Sequence, residues 1–121
     1  MRSLSILYVE DNEHLREAIG MLMEGEGREV VSCATGEDAV VADAQQVFDV
    51  VVTDVSLPGM SGTDLARTLL QNNPTRWIVL CSGYDLSQGL DSLGPNVRML
   101  RKPFELEELD ALLAEITAAL P

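Results

Sequence analysis

Phe48-Asp49-Val50-Val51-Val52-Thr53-Asp54-Val55-Ser56-Leu57-Pro58-Gly59-Met60-Ser61-Gly62 decides how this chain is read. Phe48 to Thr53 reads as a strand, and its consecutive Val50, Val51 and Val52 suit one buried on both faces of a parallel sheet. It stops at an acid, Asp54, and a loop follows in which Pro58, Gly59 and Gly62 set the turns. Leu65, Leu69 and Leu70 then recur at helical spacing, and Pro74 ends that pattern.

The same strand–loop–helix unit repeats outward in both directions. Upstream, Ser5 to Val9 and Glu29 to Cys33 read as strands. A helix capped by Asn12 and starting near Glu13 follows the first, carrying Leu15, Ile19, Leu22 and Met23; Gly25 and Gly27 end it. A helix opened by Thr35-Gly36-Glu37-Asp38 follows the second. Downstream, Trp77 to Cys81 and Val97 to Arg101 are strands. Asp85 to Leu93 is a short, weak helix containing Gly89, and Glu105 to Leu120 is a final helix with a leucine-rich stripe. Five strands alternating with five helices predict an open, doubly wound α/β fold. Right-handed crossovers place the C-terminal ends of all strands at one sheet edge, where such folds bind ligands.

The chain has 121 residues, the size of one domain (residues 1–121), and 46% hydrophobic content supplies a core. No apolar run approaches the ~20 residues that span a bilayer, and no secretory leader is read at the start, so the expected location is cytoplasmic and off the membrane. Cys33 and Cys81 sit in apolar runs without metal-ligand spacing and read as free thiols. Twenty acidic residues against eight basic ones give a formal charge of −12. Nucleic-acid binding needs a basic face, so none is expected here.

Chemistry is expected just after the strands. Glu10 and Asp11 follow the first, Asp54 the third, Ser82 the fourth and Lys102 the fifth. Singly, each reads as a turn, cap or surface residue. Jointly, the fold gathers three carboxylates, a hydroxyl and an ammonium. Two like charges ~4 Å apart cost about 4 kcal/mol at an effective dielectric near 20, so such a cluster calls for a cation. Mg²⁺ suits carboxylates together with phosphate oxygens and water. A carboxylate nucleophile beside Mg²⁺ and lysine suits acceptance of a phosphoryl group, with the Ser82 hydroxyl hydrogen-bonding the group after transfer. His14, Arg76 and Arg101 read as solvated surface residues, and Phe48 and Trp77 as packing residues.

With these residues in place, the sequence resembles the receiver domains of bacterial two-component response regulators over nearly its whole length. The resemblance rests on Glu10-Asp11, on Asp54 before Leu57-Pro58-Gly59-Met60-Ser61-Gly62, on Ser82, and on Lys102-Pro103-Phe104. It implies a flavodoxin-like five-stranded parallel sheet in the order 2-1-3-4-5 and a cis bond before Pro103. It makes Asp54 the phosphoacceptor and Asp11 a direct Mg²⁺ ligand, with Glu10 acting through water and the Ser56 carbonyl as a further ligand. Lys102 pairs with the phosphoryl group and Ser82 moves toward it. The implied partners are a histidine kinase or phosphotransfer protein and a downstream effector, and the chain is a signalling module and not an enzyme acting on other substrates. The Ser-Gly-Tyr loop and the Leu-Arg-Lys-Pro-Phe run look like receivers fused to hybrid sensor kinases, and a free-standing receiver fits equally.

Two features depart from the family pattern. Met99 stands where an aromatic residue usually precedes the lysine by three, and Tyr84 is the aromatic nearest Ser82. The segment between Ser82 and Lys102 is shortened, so its output face is expected to be atypical. A pseudo-receiver that only binds partners is the alternative. An aspartate-nucleophile phosphatase of the haloacid dehalogenase type fits less well, because Ser56 stands where such enzymes carry their second acid. A flavin binder lacks a hydroxyl-rich loop after the first strand.

Overall fold

The computed structural model describes residues 3–25, 27–83 and 90–121. Five parallel strands, β1 (Leu4–Val9), β2 (Arg28–Cys33), β3 (Val50–Asp54), β4 (Trp77–Ser82) and β5 (Val97–Arg101), form one sheet in the order β2-β1-β3-β4-β5. The helices are α1 (Glu13–Met23), α2 (Gly36–Gln45), α3 (Gly62–Asn72), the single turn α4 (Leu90–Leu93) and α5 (Leu106–Ala119). The expected doubly wound fold and strand order are both present. The expected helix from Asp85 falls mostly outside the described residues, as do Tyr84 and Gly89. Among the described residues, no helix is long and apolar enough to cross a membrane.

Alternation along the strands divides the core. Ile6, Tyr8, Val50, Val52, Val79 and Cys81 face Met23 of α1 and Leu109, Leu113 and Ile116 of α5. Leu7, Val9, Val51, Ile78 and Leu80 face Ala39 of α2 and Leu65, Ala66, Leu69 and Leu70 of α3. Both faces of β3 are buried at every position, which accounts for its unbroken valines. Helix starts follow local capping. The side chains of Asn12, Thr35 and Ser61 accept the N–H of Leu15, Asp38 and Asp64, respectively.

Three local readings change. Asp54 and Ser82 are the last residues of β3 and β4, not loop residues, because the ladders continue through Asp54 opposite Cys81 and Ser82 opposite Arg101. Leu15 and Leu22 of α1 are 43% and 54% exposed, so the apolar stripe of that helix is wider than the core covers. Arg76 is not solvated. Its guanidinium makes two bonds to the Asp43 carboxylate, at 2.6 and 3.1 Å, and the side chains are only 12% and 16% exposed. Replacing Arg76 with Met strands a mostly buried charge on Asp43, so a loss of about 3 kcal/mol is expected. Urea unfolding is expected to show it as a lower midpoint with an unchanged slope.

Candidate functional site

Parallel pairing brings the ends of β1, β3, β4 and β5 to one edge. Glu10 and Asp54 are buried there, Asp11 is exposed, and one carboxylate oxygen from each lies within 4.8 Å of the others. Lys102 reaches in from the end of β5, its Nζ 3.1 Å from Asp54 Oδ1 and 3.7 Å from Glu10 Oε1. Ser82 is 2% exposed at the end of β4, and its carbonyl accepts the Lys102 backbone N–H at 2.8 Å. The Lys102-Pro103 peptide bond is cis. Ser56 is exposed, two residues beyond Asp54 in the loop. All the residues expected from the sequence therefore lie at one sheet edge; the three acids are in mutual reach, and the lysine reaches Glu10 and Asp54.

The β3–α3 loop turns back tightly over the strand end. Gly62 N–H and Leu57 N–H both bond the Val55 carbonyl, and Val55 N–H bonds the Cys81 carbonyl. A Cβ on Gly62 would collide with the Asp54 carbonyl oxygen, so only glycine permits this approach. Two orienting contacts were not foreseen. Arg16 of α1 donates to the Glu10 carbonyl at 2.9 Å, and the Asn12 N–H donates to Glu10 Oε2 at 3.0 Å. The first was illegible because nothing in the spacing tells which way an arginine on a helix turns.

Charge follows from this packing. Burial, opposed by the Asn12 N–H and reinforced by Asp11 and Asp54, pushes the Glu10 carboxyl above its ordinary value of 4.5. Burial alone would lower the Lys102 ammonium, but its hydrogen bond to Asp54 and the charges of Asp54 and Glu10 raise it overall. It is therefore a cation throughout the neutral range. Burial lifts Tyr8 well above its usual range and pushes the Cys81 thiol up to about 12, so neither supplies an anion at neutral pH. Three carboxylates against one ammonium leave an excess of negative charge that a hard divalent cation fits.

A groove of about 530 Å³ opens beside this cluster. Leu15, Ile19 and Leu22 of α1 line one wall and Phe104, Leu106 and Leu109 the other, with Asp54 and Lys102 at its polar end.

The model of the response regulator receiver domain matches residues 6–114, and this span contains the acids, Ser82 and Lys102. The chain belongs to the response regulator receiver family. The uncharacterized transcriptional regulatory protein YkoG of Bacillus subtilis is 36% identical over 119 residues, covering 95% of this chain and 50% of that protein. The sensory transduction protein RegX3 of Mycolicibacterium smegmatis is 34% identical over 115 residues, covering 93% and 50%. This receiver therefore spans about half the length of those curated relatives. A solved response regulator receiver domain (CheY-like) from Methylobacillus flagellatus superposes with a TM-score of 0.80 at 29% identity, covering 94% of this chain and 98% of that one.

A carboxyl with a raised folded pKa stabilises the fold while protonated. That contribution is complete below the unfolded pKa and disappears as pH rises through the folded value. Ionised Glu10 thus opposes folding at neutral pH when no metal is bound. Glu10→Gln is expected to raise the metal-free melting temperature at pH 7 by about 3 °C. It is also expected to flatten the dependence of stability on pH above 4.5 and to weaken divalent binding. Thermal melts across pH, with and without MgCl₂, check all three.

Proposed function

We propose that this receiver accepts a phosphoryl group on Asp54 from a histidine kinase or phosphotransfer protein in a Mg²⁺-dependent reaction. The gain changes its surface and its contact with an effector protein or domain. The observation that carries the reading is the Lys102 ammonium 3.1 Å from Asp54 Oδ1, beside a cluster of three carboxylates. Asp11 and Asp54, the Ser56 carbonyl, and Glu10 through water would hold the ion, which would supply positive charge to offset that of the phosphoryl group. An Asp54 oxygen forms the new bond to phosphorus as the donor's P–N bond breaks, and the departing imidazole keeps the electron pair and takes a proton. Lys102 stabilises the charge that gathers on the phosphoryl oxygens, and the Ser82 hydroxyl at the end of β4 hydrogen-bonds the transferred group in the product.

The apolar groove beside the cluster supports a protein donor, because exposed Leu15 and Leu22 flank the approach to Asp54. The formal charge of −12 argues against direct contact with nucleic acid, which leaves output to other proteins or domains. The receiver catalyses only its own phosphoryl gain and loss, and a cytoplasmic setting supplies the donor.

Incubation with acetyl phosphate and MgCl₂ is expected to add one phosphoryl group per chain, seen by intact mass and removed by hydroxylamine as an acyl phosphate. Failure to take up the group at any Mg²⁺ concentration would refute the reading.

A further inference from the structure

We propose that Glu37, in the first turn of α2, is a positioning residue for the β3–α3 loop and through it for the divalent-cation site. The inference rests on the phosphoacceptor reading above. Glu37 is exposed, belongs to a different β–α unit, and stands outside the cluster of Glu10, Asp11 and Asp54. Its Oε2 nevertheless accepts the Met60 N–H at 3.3 Å across 23 residues of sequence. The same oxygen occupies the space above Gly59, where a Cβ would lie only 2.8 Å from it. Gly59 has φ of +72°, a backbone conformation that glycine adopts without strain. The missing side chain thus serves both the turn and the carboxylate that rests on it.

A second contact keys the same two segments together. Gly36 is buried, and a Cβ there would lie 3.2 Å from the Cβ, Cγ and Sδ of Met60. The first turn of α2 therefore holds Met60 by its side chain at Gly36 and by its backbone at Glu37. The near end of the loop is tied separately, through Val55 N–H to the Cys81 carbonyl and through the N–H groups of Leu57 and Gly62 to the Val55 carbonyl. Between these anchors lies the short stretch Ser56 to Pro58, whose Ser56 carbonyl is the backbone group proposed to meet the metal. Releasing the far anchor is expected to loosen that carbonyl, which the Leu57 and Val55 bonds then hold alone, and to leave Asp11, Asp54 and Lys102 in place.

Glu37 also carries charge, at a helix start that favours it and on a surface that attracts cations in general. Glutamine separates these roles, because it keeps the acceptor oxygen and discards the charge. Amide NMR titrations with MgCl₂ on the 121-residue chain are the test, using wild type, Glu37→Ala and Glu37→Gln. Glu37→Ala is expected to shift the Met60 and Gly59 resonances and weaken Mg²⁺ binding by about threefold, the scale of one net hydrogen bond. Glu37→Gln is expected to bind Mg²⁺ within about twofold of wild type. Unchanged affinity in Glu37→Ala overturns the inference, as does equal weakening in both variants, which would mark a charge effect. Wild type that shows no saturable response at Asp11 and Asp54 overturns the phosphoacceptor reading itself, and this inference with it. The wild-type arm thus reports on one and the variant pair on the other.

Discussion

Asp54→Asn is expected to reduce phosphoryl uptake from one group per chain to none detectable by intact mass, with the fold retained. Asparagine matches aspartate in shape, so the strand end and the close approach of Gly62 to the residue 54 carbonyl are undisturbed. The change removes the anionic oxygen, and a neutral amide does not attack phosphorus at a useful rate. The variant also loses one of the three carboxylates proposed to hold the metal, and the ion pair to Lys102 at 3.1 Å. Mg²⁺ affinity is expected to fall in parallel, whereas circular dichroism should remain that of wild type. Continued uptake would place the acceptor elsewhere. His14 would be tested first, since it is exposed on the first turn of α1. Acid lability with stability in alkali would then mark a phosphoramidate.

Lys102→Met is expected to separate metal binding from phosphoryl transfer. Methionine keeps much of the apolar stem that packs along the groove and removes the ammonium beside Asp54 and Glu10. The carboxylates then lose the ammonium that sits 3.1 Å from Asp54 and 3.7 Å from Glu10, so Mg²⁺ is expected to bind at least as tightly as in wild type. The rate of phosphorylation by acetyl phosphate is nevertheless expected to fall about 10²-fold, the scale of losing one preorganised group that meets charge developing in the transition state. The metal-free variant should melt below wild type, because Glu10 and Asp54 lose their shared partner while buried. Parallel Mg²⁺ titration and single-turnover phosphorylation check the pair. A loss of Mg²⁺ affinity that matched the loss of rate would make Lys102 an organiser of the metal site instead.

Much of this was legible in the chain because it is written locally. The valine run ending at Asp54 and the glycine and proline that follow are read within one window, as is the spacing of Leu65, Leu69 and Leu70. The caps at Asn12 and Thr35 lie where the sequence places them. The recurrence of these units identifies a parallel sheet, and a parallel sheet gathers the residues after its strands at one edge. The expected cluster of Glu10, Asp11, Asp54 and Lys102 follows from that topology.

Other features depend on which distant surfaces meet. Periodicity marked Leu15 and Leu22 as apolar on α1 but did not say that the core would leave them exposed beside the groove. Arg76 looked like any surface arginine until α2 carried Asp43 against it. The contacts of Arg16 with Glu10 and of Glu37 with Met60 depend equally on how one helix seats against the sheet. By itself, the sequence determined the element order, the sheet and the edge at which its acids and lysine collect, since these follow from residue type and spacing along the chain. The tertiary structure alone decided which charges are buried and paired and which apolar side chains stay open. Burial and pairing are properties of two surfaces in contact, and the pattern of one segment describes only its own half.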